Sequence, residues 1–264
     1  MTKNKIISFI IIIIYVYILF NSKLISQSVI SAMKAFIFNV FPNLLPTMFL
    51  GLLLVKLDIS ILIPKFIKKL FNKIFNFDDI KTTIFIASMI CGMPSNALFI
   101  NEYLNEEDKK YMLKCTKFMN PLFVISTIGL YIFKSIKIGF ILLSLTYIYN
   151  FIVAFIYRSK FSQYKHNKSI NDSFIKVFNK TLKTVSNTCL NILIIVIIFN
   201  ILISIILSIN NNIITQIISG FLELTNAILL LKKIDINLSI KFILAYIYLI
   251  HSGLSIKMQI KSII

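Results

Sequence analysis

Tryptophan is missing from this 264-residue chain, arginine occurs once, as Arg158, and Asp and Glu together number 10 against 28 Lys and Arg. Long stretches lack charge altogether: residues 35–55, 82–101, 138–157 and 184–222 contain no Asp, Glu, Lys or Arg. Hydrophobic residues make up 58% of the chain and the mean hydropathy is +0.87. A water-soluble domain could not keep this composition off its surface, which excludes a soluble enzyme and makes lipid the main solvent.

Cysteine is scarce as well. Cys91, Cys115 and Cys189 are odd in number, widely spaced and outside any CxxC or Cys/His set, which argues against structural disulfides and a zinc or other metal site. No P-loop, nucleophile elbow, HExxH, Rossmann fingerprint or paired-carboxylate site occurs, so neither a membrane-embedded enzyme nor a resident cofactor is expected. The excess of base could point to nucleic acid. The basic residues sit in short connectors between apolar runs and outline no basic face, so they read as topology signals, with no nucleic-acid partner expected.

What is present is a series of apolar runs long enough to cross a hydrocarbon core, which takes about 20 residues in a helix. The expected fold is an all-α, polytopic helical membrane protein with two gate-like halves, partnered by the lipid bilayer. Residues 1–28 form a first, uncleaved span, Ile6 to Phe20, and a short connector; residues 29–157 form the first half. Residues 158–183 are a basic connector, and residues 184–264 form the second half. Within the first half, Ile59 to Phe77 alternates lysines with Phe and Ile at three- and four-residue spacing, the signature of an amphipathic helix in the interface.

Several apolar runs contain helix breakers: Pro42 and Pro46, Gly92 and Pro94, Pro121, and Gly253. Proline removes a backbone donor, and such breaks are tolerated at membrane depth where protein or a cavity satisfies the freed groups. Six Lys lie from Lys56 to Lys81 and seven basic residues from Arg158 to Lys183, so both connectors are expected on the cytoplasmic side. The apolar runs between them are odd in number. The conflict vanishes if Thr82 to Asn101 is re-entrant with its tip at Gly92 and Pro94, and the run broken at Ser252-Gly253 is expected to be its counterpart.

Glu223 is the only carboxylate inside an apolar run. A charge at the bilayer centre costs about 3 kcal/mol on insertion scales, so this residue is expected to face a polar cavity as an ion, proton or substrate contact. His251, before Ser252-Gly253, is a second candidate for a proton or anionic group. Around the breaks, Ser95, Asn96, Asn120, Thr225, Asn226, Ser252, Ser255 and Gln259 are the expected lining of a solute site, since interrupted helices present amides and carbonyls to ions at the midplane.

Phe41-Pro-Asn-Leu-Leu-Pro46, Cys91-Gly-Met-Pro94, Asn120-Pro-Leu-Phe123, Gly220-Phe-Leu-Glu-Leu-Thr-Asn226 and Ser252-Gly-Leu-Ser-Ile-Lys-Met-Gln259 follow one another in the order seen in YlbJ-type sporulation integral membrane proteins, which this chain resembles from about Ala32 onward. Those proteins are similar to the nucleoside-recognition, or gate, domains of nucleoside and ferrous-iron carriers. The resemblance implies a role in endospore formation at the cell membrane or the outer forespore membrane, with export of an anion such as dipicolinic acid towards the forespore. Of the candidates above, Pro42, Pro46, Gly92, Pro94, Asn120, Pro121, Glu223, Thr225, Asn226, Gly253, Ser255 and Gln259 fall on its motif positions. The chain departs from the family at Met93, at Ser95-Asn96-Ala97-Leu98 and at Thr116-Lys117. Rival readings are a spore-envelope assembly protein without transport and a nucleoside or cation carrier unrelated to sporulation.

Overall fold

The computed structural model describes residues 3–162 and 173–264, and no strand occurs among them. Among the described residues, four helical stretches are long and apolar enough to cross a membrane: Ser22–Lys56, Ile136–Ile156, Phe174–Ile209 and Leu238–Ile263. Large apolar side chains such as Phe20, Phe38, Phe140, Ile156 and Ile194 point outward, whereas Asn96, Thr146, Asn150 and Ser255 are fully buried. Polarity is thus turned inside out relative to a soluble protein. The chain is a multi-pass helical membrane protein.

After α1 (Lys3–Phe20), the long stretch Ser22–Lys56 consists of α2 (Ser22–Ala35), a π-helical turn (Phe36–Val40) and α3 (Phe41–Lys56). The expected breaks at Pro42 and Pro46 are absent. Pro42 falls in the first turn of α3, just after the helix has widened to the π form, where an amide would lack a regular partner. Around Pro46 side chains take up carbonyls: Asn43 Nδ2 donates to Asn39 O at 3.2 Å and Thr47 Oγ1 to Asn43 O at 2.8 Å. Pro121 likewise starts a helix rather than interrupting one, ahead of a π-helical segment, Phe123–Ile132.

The amphipathic helix α4 (Lys65–Phe75) forms where the lysine pattern predicts a helix. Its Phe71 and Phe75, with Phe77, Phe118 and Phe151, place ring centroids 5.2–6.0 Å from that of Phe85 on α5 (Asp79–Cys91). Below this aromatic core α5 runs inward, stops at Gly92 (φ 72°), and α6 (Ser95–Tyr103) runs back out. Both mouths of the hairpin lie at one end of the bundle. Glu102 Oε2 is 3.9 Å from Lys56 Nζ and Tyr103 OH donates to Val55 O, both at the end of α3. Lys81, at the start of α5, donates to Ser162 O beyond the end of α8 (Ile136–Ile156). The re-entrant reading of 82–101 therefore holds, and the connectors that open at Lys56 and at Arg158 both leave from this lysine-rich end.

From there α7 (Glu106–Cys115) leads into an extended stretch, 116–120, and the π-helical segment reaches the opposite end, where α8 turns back against it. Gly129 and Gly139 make that packing close: a Cβ on Gly139 would stand 3.0 Å from the Cα of Ile125. Of the connector 158–183, residues 163–172 lie outside the described residues. Its last part is helical, because α9 (Phe174–Ile209) starts well before Lys183. Thirty-six residues make α9 about 54 Å long, antiparallel to α2 and α3, with Ser204 Oγ 2.8 Å from Ser28 Oγ.

The second half repeats the first upside down. α10 (Ile213–Ser219) enters from the opposite end, the chain turns at Gly220–Glu223, and α11 (Leu224–Lys233) returns to that same end, where Lys232 Nζ sits 3.4 Å from the centroid of the Tyr131 ring. Then α12 (Leu238–His251) and α13 (Gly253–Ile263) cross to the lysine-rich end, where Asn101 Nδ2 donates to Ile263 O at 2.8 Å. Each half is a long helix, a re-entrant hairpin and a broken crossing, of opposite direction in the two halves. The counterpart of hairpin 82–101 is therefore Ile213–Lys233 and not the run broken at Ser252-Gly253. That break is instead the counterpart of Asn120. A broken apolar run looks alike in sequence whether it turns back or continues, and the difference lies in the direction taken by the helix after the break.

Candidate functional site

Each hairpin tip is bonded to the break of its own half. Met93 N donates to Phe118 O at 2.8 Å; Leu254 N donates to Phe221 O at 2.9 Å and Ser255 N to Leu222 O at 2.8 Å. The interrupted backbones satisfy one another, which is how irregular structure survives at membrane depth. The first tip and the second break need positive φ: Gly92 at φ 72°, Ser252 at 68° and Gly253 at 65°. At Gly92 a Cβ would overlap the backbone of Met119 and Asn120.

Each half also uses one side chain to cap the helix that leaves the irregular stretch. Asn120 Oδ1 accepts from Leu122 N at 2.9 Å, while its Nδ2 donates to Thr47 Oγ1 at 3.1 Å. Glu223 accepts from Thr225 N at 3.0 Å on Oε1 and from Asn226 N at 2.6 Å on Oε2. An acidic residue at a helix N-terminus is stabilised by the orphan amides and the dipole. Glu223 is 2% exposed and has no ion-pair partner among the described residues. A buried carboxylate with two amides but no cation leaves lone pairs for a proton or an ion.

One cavity lies where these parts meet. Its wall takes Met93 and Pro94 from the first tip, Met119, Asn120 and Phe123 from the first break, Glu223, Leu224 and Thr225 from the second tip, and Ile256 and Gln259 from the second crossing. Asn39, Val40, Asn43 and Leu44 of the α2–α3 stretch and Ile192 and Val196 of α9 complete it. All six structural parts of the inverted repeat contribute. The space accessible to water centres is about 70 Å³, room for roughly five water molecules. A separate polar groove of about 310 Å³ opens at the lysine-rich end, lined by Asn101, Glu102, Thr184, Asn187, Thr188, Asn191 and Ser262 among others. On α9, Asn191 lines the groove and Ile192 the cavity.

Of the residues singled out in the sequence, Pro94, Asn120, Glu223, Thr225 and Gln259 share this cavity. Others hold its frame. Asn96 Nδ2 donates to Thr116 O at 2.8 Å, Ser255 Oγ accepts from Gln259 Nε2 at 3.0 Å, and Ser252 Oγ donates back to Leu249 O. Ser95 is fully buried beside the first tip, and Asn226 supplies its amide to Glu223. His251 stands outside the cavity lining, with its ring against Phe221 and Nε2 3.0 Å from Lys257 Nζ. The apolar contributors Met93, Met119, Phe123, Ile192 and Val196 carry no signal in the sequence that separates them from ordinary core residues. No three His, Cys, Asp or Glu among the described residues group as metal ligands.

Comparisons with protein-family models, with curated proteins and with solved structures find no match to this chain.

Proposed function

We propose that this protein is a membrane carrier for a small polar solute, with Glu223 as the site where a proton or cation is bound and released during the cycle. The observation that carries this reading is the convergence of both hairpin tips and both broken crossings on one cavity around one carboxylate that lacks a cationic partner. Inverted repeats that meet at the midplane are the construction by which carriers expose one site to either side in turn. In the arrangement described, the wide polar groove lies at the lysine-rich end and the cavity holds only a few waters, so a solute enters when the tips part. No covalent step is needed.

The resemblance to YlbJ-type sporulation proteins, and with it the export of dipicolinate, belongs to the same proposal. The cavity wall contains no Lys, Arg or His, so a dicarboxylate would meet Glu223 unscreened; it is accommodated when Glu223 is protonated. Proton-coupled movement of an anion and direct binding of a cation are thus the two forms the reading takes. Both depend on the carboxylate.

Proteoliposomes containing the purified full chain and an internal pH dye test this. Small polar solutes, dipicolinate among them, are expected to drive proton or cation movement in the wild type. Glu223→Gln, which keeps one of the two cap acceptors, is expected to abolish it while keeping membrane abundance. Undiminished solute-driven movement in the variant would overturn the proposal. Normal dipicolinate in spores of a deletion strain would remove that cargo and leave the rest standing.

A further inference from the structure

Both ends of α4 lie at the lysine-rich end of the bundle, because α3 arrives there at Lys56 and α5 leaves from there at Asp79. The helix therefore runs along that end and does not cross. Three strips divide its surface. Phe71, Ile74 and Phe75 pack into the core. Beside them Phe66 and Leu70 are left uncovered, 70% and 50% exposed, and Ile61 and Leu62 just ahead of the helix are exposed as well. The third strip is Lys65, Lys69 and Lys73, all exposed. Their four-residue spacing sets them in one row, about 6 Å apart along the axis.

The fold makes no use of this row. Lys68, its neighbour, is taken by Asp79 Oδ2 at 3.0 Å, whereas Lys65, Lys69 and Lys73 form no ion pair among the described residues. Two more bases are brought beside it. Asn76, just past α4, donates Nδ2 to Phe161 O at 3.0 Å, which seats the turn Arg158–Lys160 against this helix. Arg158 and Lys160 are exposed too. Bases that the sequence scatters over two connectors thus share one surface.

A row of cations bordering a row of bare apolar groups fits one partner. Water suits the lysines and not Phe66 or Leu70, and hydrocarbon does the reverse. At the boundary of an anionic leaflet acyl chains cover the apolar strip while phosphates meet the lysines. Arg158 repeats the pattern on α8, its guanidinium carbon 4.4 Å from the centroid of the exposed Phe155 ring.

We propose that Lys65, Lys69 and Lys73, with Arg158 and Lys160, bind the headgroup phosphates of anionic lipids. The attachment reaches the first hairpin, since the Lys68–Asp79 pair and the packing of Phe71 and Phe75 on Phe85 fasten α4 to α5. Bound lipid therefore fixes the root of the hairpin whose tip is at Gly92. The inference stands whether or not the cavity carries a solute.

Native mass spectrometry of the detergent-solubilised full chain, with equal concentrations of phosphatidylglycerol and phosphatidylcholine, tests it. The wild type is expected to retain phosphatidylglycerol with about tenfold preference, and the combined Lys65→Gln, Lys69→Gln and Lys73→Gln variant with about twofold or less. Lys69→Gln alone, in the middle of the row, is expected to lower the preference about threefold and decides the matter should the combined variant aggregate. Lys134→Gln with Lys137→Gln, exposed lysines at the opposite end, is expected to keep the wild-type preference. No preference in the wild type, an unchanged preference in the row variants, or an equal loss at the opposite end would overturn the proposal. Release of the lipid by low-millimolar inorganic phosphate would make the row a soluble-anion site and overturn the lipid assignment.

Discussion

The amide of Met93 donates to the carbonyl of Phe118 at 2.8 Å, joining a re-entrant tip to a broken crossing at the middle of the protein. The second half makes the same join in reverse direction through Leu254 and Phe221. Two irregular stretches that would each be intolerable in lipid become acceptable as a pair, and the cavity lies between the pairs.

The two glycines at these joins are not equivalent. At Gly92 a side chain would have to adopt φ 72° and overlap the backbone of Asn120, whereas at Gly253 the nearest atom to an added Cβ is Leu224 N at 3.3 Å. Gly92→Ala is expected to destabilise by about 3 kcal/mol or more and Gly253→Ala by about 1 kcal/mol. Thermal unfolding in detergent checks the order; equal losses would refute this account of the first tip.

A buried ion cluster holds the hairpin mouth. Lys81, 1% exposed, pairs with Asp78 and lies 3.1 Å from Asp108 Oδ2, and Asp108 also accepts from Ser162 Oγ at 2.8 Å. Lys81→Met removes the cation and strands two carboxylates, an expected loss of about 3–5 kcal/mol. Membrane abundance and melting temperature near wild-type values would show that the cluster is dispensable.

Topology can be read by chemistry from each side. Asn105 lies beyond the first hairpin at the lysine-rich end, and Asn212 opens the second hairpin at the other. With buried Cys91, Cys115 and Cys189 as a silent background, Asn105→Cys and Asn212→Cys are expected to react with a membrane-impermeant thiol reagent from opposite sides. Reaction of both from one side would contradict the inverted repeat.

The glycine contact between α8 and the π-helical segment leaves no room for a side chain. Gly139→Leu is expected to push the two apart, with a loss of about 1–3 kcal/mol. A variant as stable as the wild type would mean the segments can separate without penalty.

The sites of irregularity were legible in the sequence because glycine, proline and a lone acid stand out against uniform apolar runs. Gly92, Pro94, Gly253 and Glu223 all mark real interruptions. Pro42 and Pro46 gave the same signal without a break, because a π turn and the side chains of Asn43 and Thr47 take up what proline disrupts. The second hairpin was hidden, since Ile213 to Leu231 has the length and hydropathy of a span, and its turn at Gly220 needs no proline. His251 looked like a cavity residue by its position at a break, yet the helix end turns it towards Phe221 and Lys257.

Composition by itself determined the solvent: uncharged runs of 20 residues or more belong in lipid. Only the tertiary structure decided which break joins which tip and which polar groups share one cavity. Those pairings depend on the direction a helix takes after its break, and that direction is fixed by distant packing, which local residue order does not encode.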